Sequence, residues 1–290
     1  MSTRVRSRLI PTFLVMNTMS SSFEKAEPFL TSAWSLQEHH ATYLFSKTLT
    51  NSNEPAEETL APSLTNACVR FDRPQEGIVV ACPVQHLLGV DMGTSNSESV
   101  RDVWCRHRDL VIVYEPVDPR QLCATLMWRM HHEPAQRNPL LDSAEIVWCE
   151  LVLSTQTSRI ESDSHLKVVS ILCGTDILCA EWKNDSWKWT ENNSINAFTR
   201  ALLIRHENES STLVAVHPLD SCRLSLHKQM NPLNHKWTIR VEFCLFSSLV
   251  EKGVILRSRA MATIGPSRDD TLWATPLLDR FRLSEPVLTT

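Results

Sequence analysis

Apolar residues in this chain recur mainly with a period of two, in short runs separated by Asn, Asp, Ser and Pro. That alternation marks half-buried β-strands. It predicts strands over 77–83, 109–115, 122–130, 144–154, 166–173, 177–183, 186–190, 201–206, 212–217, 223–227, 237–246 and 254–264. Two segments break the pattern. Phe29, Ala33, Leu36, His40 and Leu44 follow Pro28 at helical spacing and predict an N-terminal helix. Trp273, Leu277 and Phe281 recur at i, i+4 and i+8 and predict a C-terminal one, with Thr275 and Pro276 capping its second half.

The stretch 51–66 is rich in Asn, Ser, Thr, Pro and Glu and reads as a linker. Residues 1–66 are therefore an N-terminal extension with a helix and a polar linker. Residues 67–175 form a first β-module, and 176–290 a second that carries the C-terminal helix. The two modules share an order of features. Leu110–Val113 leads to Pro116-Val117-Asp118 and an alternating strand; Leu213–Val216 leads to Pro218-Leu219-Asp220 and another. Each continues into a long apolar strand with an internal acid, Glu150 and Glu242. This predicts a duplication. The expected fold is mostly β: two tandem, duplicated antiparallel β-modules packed as a sandwich, with short N- and C-terminal helices.

Asp118 and Asp220 read as turn-formers rather than catalytic acids, because Asp bonds backbone N–H groups two residues on. Pairing 237–246 with 254–264 as a hairpin sets Ile239, Val241, Phe243 and Leu245 on one face. The other face then gathers Arg240, Glu242, Arg257 and Arg259, either a solvated ion-pair network or a site for an anion or carboxylate.

Glu181-Trp-Lys-Asn-Asp-Ser-Trp-Lys-Trp reads as a tight hairpin. Trp187 and Trp189 share a face, and Trp182 joins them if the register allows. The ordinary explanation is that the rings cover a sheet. The functional one is a platform for sugar rings or a protein partner.

Composition narrows the chemistry. The chain of 290 residues has a net charge of -4 and only 6 Gly. No pull toward nucleic acid follows from that charge, and scarce glycine disfavours phosphate-cradling loops. The 9 Cys include no CxxC pair, which fits a reduced, cytoplasmic setting. Arg4, Arg6 and Arg8 precede a short apolar run broken by Pro11, too weak for a signal peptide, and no run reaches the ~20 apolar residues of a membrane-spanning helix. His131-His132-Glu133 reads as a polar loop without further metal ligands, and no nucleophile elbow or nucleotide fingerprint occurs. The sequence thus predicts a non-catalytic binding or interaction protein with a glycan or protein partner and no cofactor or metal. The alternative is a carbohydrate-active enzyme of β-sandwich type, with Glu150 and Glu242 imagined as its acids.

Overall fold

A computed structural model describes residues 33–44, 64, 66–81, 84–93, 100–115, 120–133, 146–191, 195–220, 222–230 and 237–285. In chain order its strands are β1 (Ala33–Leu36), β2 (His40–Leu44), β3 (Asn66–Arg70), β4 (Ile78–Ala81), β5 (Val84–Asp91), β6 (Val100–Arg106), β7 (Asp109–Tyr114), β8 (Leu122–Glu133), β9 (Ile146–Thr157) and β10 (Glu161–Asp163). They continue with β11 (Leu166–Cys173), β12 (Asp176–Lys183), β13 (Ser186–Thr190), β14 (Thr199–Arg205), β15 (Ser210–Val216), β16 (Cys222–Met230), β17 (Trp237–Leu245), β18 (Leu249–Glu251) and β19 (Leu256–Pro266). The helix α1 (Asp270–Leu283) closes the described chain.

Two antiparallel sheets form a sandwich. One has eight strands in the order β1-β2-β3-β4-β5-β11-β17-β16; the other has nine, β13-β12-β14-β15-β19-β9-β8-β7-β6. β10 and β18 pair separately. Alternate side chains meet between the sheets: Leu126, Trp128 and Met130 of β8 and Leu151 and Leu153 of β9 join Val168 and Leu172 of β11 and Val241 and Phe243 of β17 in one core. Burying each such side chain contributes roughly 1.5–3 kcal/mol before ordering costs. At one edge the sheets are tied together. The Trp34 N–H donates to the His107 carbonyl at 3.2 Å, and its indole N–H to the Arg108 carbonyl at 3.0 Å. At the other edge lie β13 and β16, the last strands of their sheets.

Helix α1 packs on the outer face of the nine-stranded sheet. Trp273, Ala274, Leu277, Leu278 and Phe281 are buried against Leu178, Leu203, Leu213 and Met261. Ala180, Ala201 and Ala215 stand opposite one another in one cross-strand row, and their small side chains leave a shallow trough for the helix. Gly265 completes the fit, since a Cβ there would lie 2.8 Å from the Trp273 ring.

Several expectations are corrected. The N-terminal helix is instead the hairpin β1–β2. In β2 Ala41 and Tyr43 are buried and Leu44 exposed, so the period of two decides there. Phe29 lies outside the described residues. The hairpin proposed from 237–246 and 254–264 does not exist: β17 pairs with β11 and β16, and β19 with β9 and β15, in the other sheet. Both strands carry an apolar core-facing side, and alternation alone does not say which sheet a strand joins. The repeated features also take different routes. β7 and β8 pair within one sheet, whereas β15 and β16 lie in different sheets, so the topology does not show a duplication. Thr275 and Pro276 sit inside one continuous α1 rather than capping a second half. His131 and His132 belong to β8, not to a loop.

Candidate functional site

The tryptophan hairpin is β12–β13. Asn184 and Asp185 form its two-residue turn, both with positive φ (52° and 55°), a geometry whose twist suits a hairpin and which Asn and Asp tolerate. The register sets Trp182 opposite Trp187 and Trp189 opposite Ala180, so all three rings share the sheet's outer face. They are half-buried and not coplanar. Trp182 and Trp187 are 5.0 Å apart at 57°. Trp189 is drawn under α1, where its indole N–H donates to Thr275 Oγ1 at 2.9 Å. The Arg282 guanidinium lies 4.6 Å from the Trp182 ring, a cation–π contact that occupies part of that ring.

The sheet end that carries the Trp182–Trp187 pair has further exposed apolar side chains, although Phe198 goes with Lys183 on the other side of the strand. The Trp182 N–H donates to the Phe198 carbonyl at 3.2 Å, and the Phe198 side chain, 50% exposed, sits beneath Lys183 Nζ at 5.4 Å. Leu219 and Leu283 are 83% and 68% exposed. His217 links them: its Nε2–H donates to the Arg282 carbonyl at 3.2 Å, and its Nδ1 accepts from the Leu219 N–H at 3.4 Å. Burial pushes the His217 imidazole below its ordinary pKa.

The basic cluster expected from the false hairpin is split between opposite sides of the sandwich. On the outer face of the eight-stranded sheet, Arg240 Nε donates to Glu242 Oε1 at 2.6 Å and Lys167 Nζ to Glu242 Oε2 at 3.1 Å, with Asp91 3.6 Å from Arg240. Burial raises the Glu242 pKa, but these two donors more than offset it and hold the carboxyl below its usual range. On the outer face of the nine-stranded sheet, Arg259 Nε donates to Glu150 Oε1 at 2.5 Å, and His131 Nε2 lies 3.1 Å from Glu150 Oε2. There too burial is outweighed, by His131 and Arg259, and the Glu150 pKa is lowered. Arg259 also donates to the Ser284 carbonyl at 2.8 Å, which fastens the end of α1. Arg257 joins neither group; its Nε donates to Ser154 Oγ at 3.2 Å.

This geometry removes the proposed acid pair. Glu150 and Glu242 lie outside opposite sheets, and packed sheets are themselves ~10 Å apart. Paired glycosidase carboxylates stand roughly 5–9.5 Å apart on either side of one bond. Asp220 is structural, though not as an Asx-turn: its Oδ2 accepts from the Arg259 N–H at 2.8 Å and Ser258 Oγ at 2.6 Å, extending the ladder past the end of β15. Asp118 lies outside the described residues. Among the described residues no group of three or more His, Cys, Asp or Glu is placed to hold a metal, and no helix is long and apolar enough to cross a membrane.

No family model and no curated protein matches the chain. Among solved structures it is similar to one described as "Putative kojibiose phosphorylase from human microbiome", with a TM-score of 0.38 and 8% identity. That alignment covers 88% of this chain and 33% of the other, so this chain spans about a third of that protein's length.

Sequence reading found the three tryptophans but not their surroundings. Phe198, Leu219 and the Arg282–Leu283 pair come from separate parts of the chain, and no local pattern brings them to one end of the sheet.

Proposed function

We propose that this chain is an interaction protein that meets a protein partner at the hairpin end of its nine-stranded sheet. The observation that carries the reading is the tilted, half-buried Trp182–Trp187 pair with Arg282 on one ring, at a sheet end where Phe198, Leu219 and Leu283 are also exposed. Aromatic side chains beside arginine are the residues that most often anchor protein interfaces. The tilt between the two indoles, and the arginine lying on one of them, suit an irregular protein surface better than a flat sugar ring.

A photo-crosslinking residue in place of Phe198 tests this. The expected result is a protein adduct that disappears when Trp182→Ala is added, while the circular dichroism of the protein is unchanged. An adduct indifferent to Trp182→Ala sinks the reading. Tryptophan quenching by a panel of glycans, abolished by the same substitution and without any protein adduct, replaces it with a sugar-binding one.

A further inference from the structure

His206 lies between the two sheets, where the end of β14 and the start of β15 face β5 and β11. Its Nδ1 is hydrogen-bonded to the Cys173 carbonyl on β11. Its Nε2 lies 2.7 Å from Thr212 Oγ1 on β15, and that hydroxyl lies 2.8 Å from Gln85 Oε1 on β5. Gln85 Nε2 is 3.4 Å from His206 Nε2. All three side chains are buried.

The donors in this chain can be counted. A carbonyl only accepts, so Nδ1 carries a proton whenever the Cys173 bond is made. Thr212 has one proton for two neighbours. If His206 is neutral, Nε2 accepts either from Thr212 at 2.7 Å or from Gln85 Nε2 at 3.4 Å; the second would leave two lone pairs facing each other across the 2.7 Å contact, so the threonine proton goes to Nε2 and Gln85 turns its NH2 toward Thr212. If His206 is charged, Nε2–H donates to Thr212, and the threonine proton goes to Gln85 Oε1. The two arrangements differ by a half-turn of an amide whose ends are nearly the same size.

We propose that His206, Thr212 and Gln85 form a proton-reversible pin between the sheets, in which hydrogen-bond polarity and the Gln85 amide turn over together when His206 takes a proton. This inference concerns the seam of the sandwich and does not rest on the partner surface.

The surroundings set the direction. β5 presents neutral Gln85, β15 neutral Thr212, and β11 the carbonyl and half-buried thiol of Cys173. On its own turn Glu207 and Glu209 are exposed, and neighbouring Arg205 is paired with Asp270 at 2.8 Å. Burial of the ring pushes its pKa below the ordinary 6.5, partly opposed by the Cys173 carbonyl. A base whose pKa is lower folded than unfolded contributes stability in full above 6.5 and loses it as pH falls through the folded value.

Side-chain NMR of the full chain tests the pin. At pH 7.5 the expected state is neutral His206 with the proton on Nδ1, the opposite of the tautomer favoured in water. On acidification the ring titrates below pH 6.5, and the Gln85 side-chain NH2 signals move with the same midpoint. In Thr212→Val the Gln85 signals no longer follow His206. In urea, His206→Gln flattens the pH dependence below 6.5, by up to a factor of ten in the unfolding constant per pH unit for one proton. A proton on Nε2 at pH 7.5, a midpoint at or above 6.5, or Gln85 signals that ignore the titration overturns the proposal. The wild-type measurements decide the matter even if the variants fail to fold.

Discussion

Replacing Arg259 with methionine should separate α1 from its sheet. In the native structure Arg259 donates to Glu150 at 2.5 Å, to the Ser284 carbonyl at 2.8 Å and to Ser284 Oγ at 2.5 Å. Its guanidinium also lies 5.0 Å from the Phe281 ring. Methionine fills much of the same volume, but it leaves the Glu150 side chain, 2% exposed, with His131 as its remaining partner at 3.1 Å. Removing one member of a buried ion pair costs about 3–5 kcal/mol, because the other charge stays out of water. Losing the donors to the last turn of α1 costs about 1 kcal/mol more. Arg259→Met should therefore lose about 4–5 kcal/mol at pH 7, the upper part being limited by protonation of Glu150. Removing both charges, as in Glu150→Gln with Arg259→Met, should restore about 2–3 kcal/mol of that loss. Urea midpoints followed by tryptophan fluorescence give both numbers, since Trp148 and Trp273 lie in the core that α1 closes. A loss under about 1 kcal/mol for the single variant, or a double variant no more stable than the single, would refute this account of how the helix is held.

Three further outcomes follow. Gly89→Ala should destabilise the protein by about 3 kcal/mol or more, because the added Cβ would lie 2.1 Å from the Gln75 carbonyl oxygen in the turn that crosses β5; an unchanged thermal midpoint contradicts the packing. Asp220→Ala should cost about 1–3 kcal/mol by leaving the Arg259 N–H without its acceptor, while Asp220→Asn, which keeps an oxygen, should cost less; equal losses count against the ladder role. Stability should fall with acid in two stages. His132, His206 and His217 are all pushed down by burial, His132 to about 4, so their contribution is present above 6.5 and declines below it. Glu150 and Glu242 are held below their unfolded value of 4.5, so theirs is lost as pH falls beneath that. Urea midpoints that stay flat from pH 7 to 4 would contradict the first stage.

What was legible in the sequence was local. Alternating β-branched and aromatic residues gave β7, β11, β12, β13 and β17 within a residue or two, and the spacing of Trp273, Leu277 and Phe281 gave α1. β5 was missed because its alternation is interrupted: Leu88 has positive φ and the pairing with β11 shifts between Val169 and Ile171. β6 was missed because Arg101, Asp102, Trp104 and Arg106 are exposed along an edge strand with little apolar signal. Sheet membership was not legible at all. Leu213–Val216 and Trp237–Leu245 look alike as core strands, yet the chain changes sheet between them. The misplaced arginines follow from that single ambiguity, and so does the apparent acid pair. The tryptophans were correctly placed because a two-residue turn fixes hairpin register without tertiary information.

The edge strands at the same end bear on the proposed partner contact, which they limit to side chains. β13 and β16 end their sheets, and an unprotected edge invites another strand to add on. Both carry a lysine on the side that faces the sandwich interior. Lys188 stands opposite Glu181, in the same alternation as buried Ile177 and Cys179; Lys228 stands opposite buried Ile239. A strand docked on either edge would draw that charge out of water, at a cost that backbone hydrogen bonds do not readily offset. On the outer face the half-buried Trp182 and Trp187 offer apolar ring surface instead, with only the Arg282 guanidinium lying on one of them. Replacing Lys188 and Lys228 with valine should therefore promote concentration-dependent association through the edges without touching the tryptophan pair. Sedimentation would show this as oligomers that persist when Trp182→Ala is added. A doubly substituted protein that stays monomeric, or one whose association depends on Trp182, would show that the edges are protected by something other than these two charges.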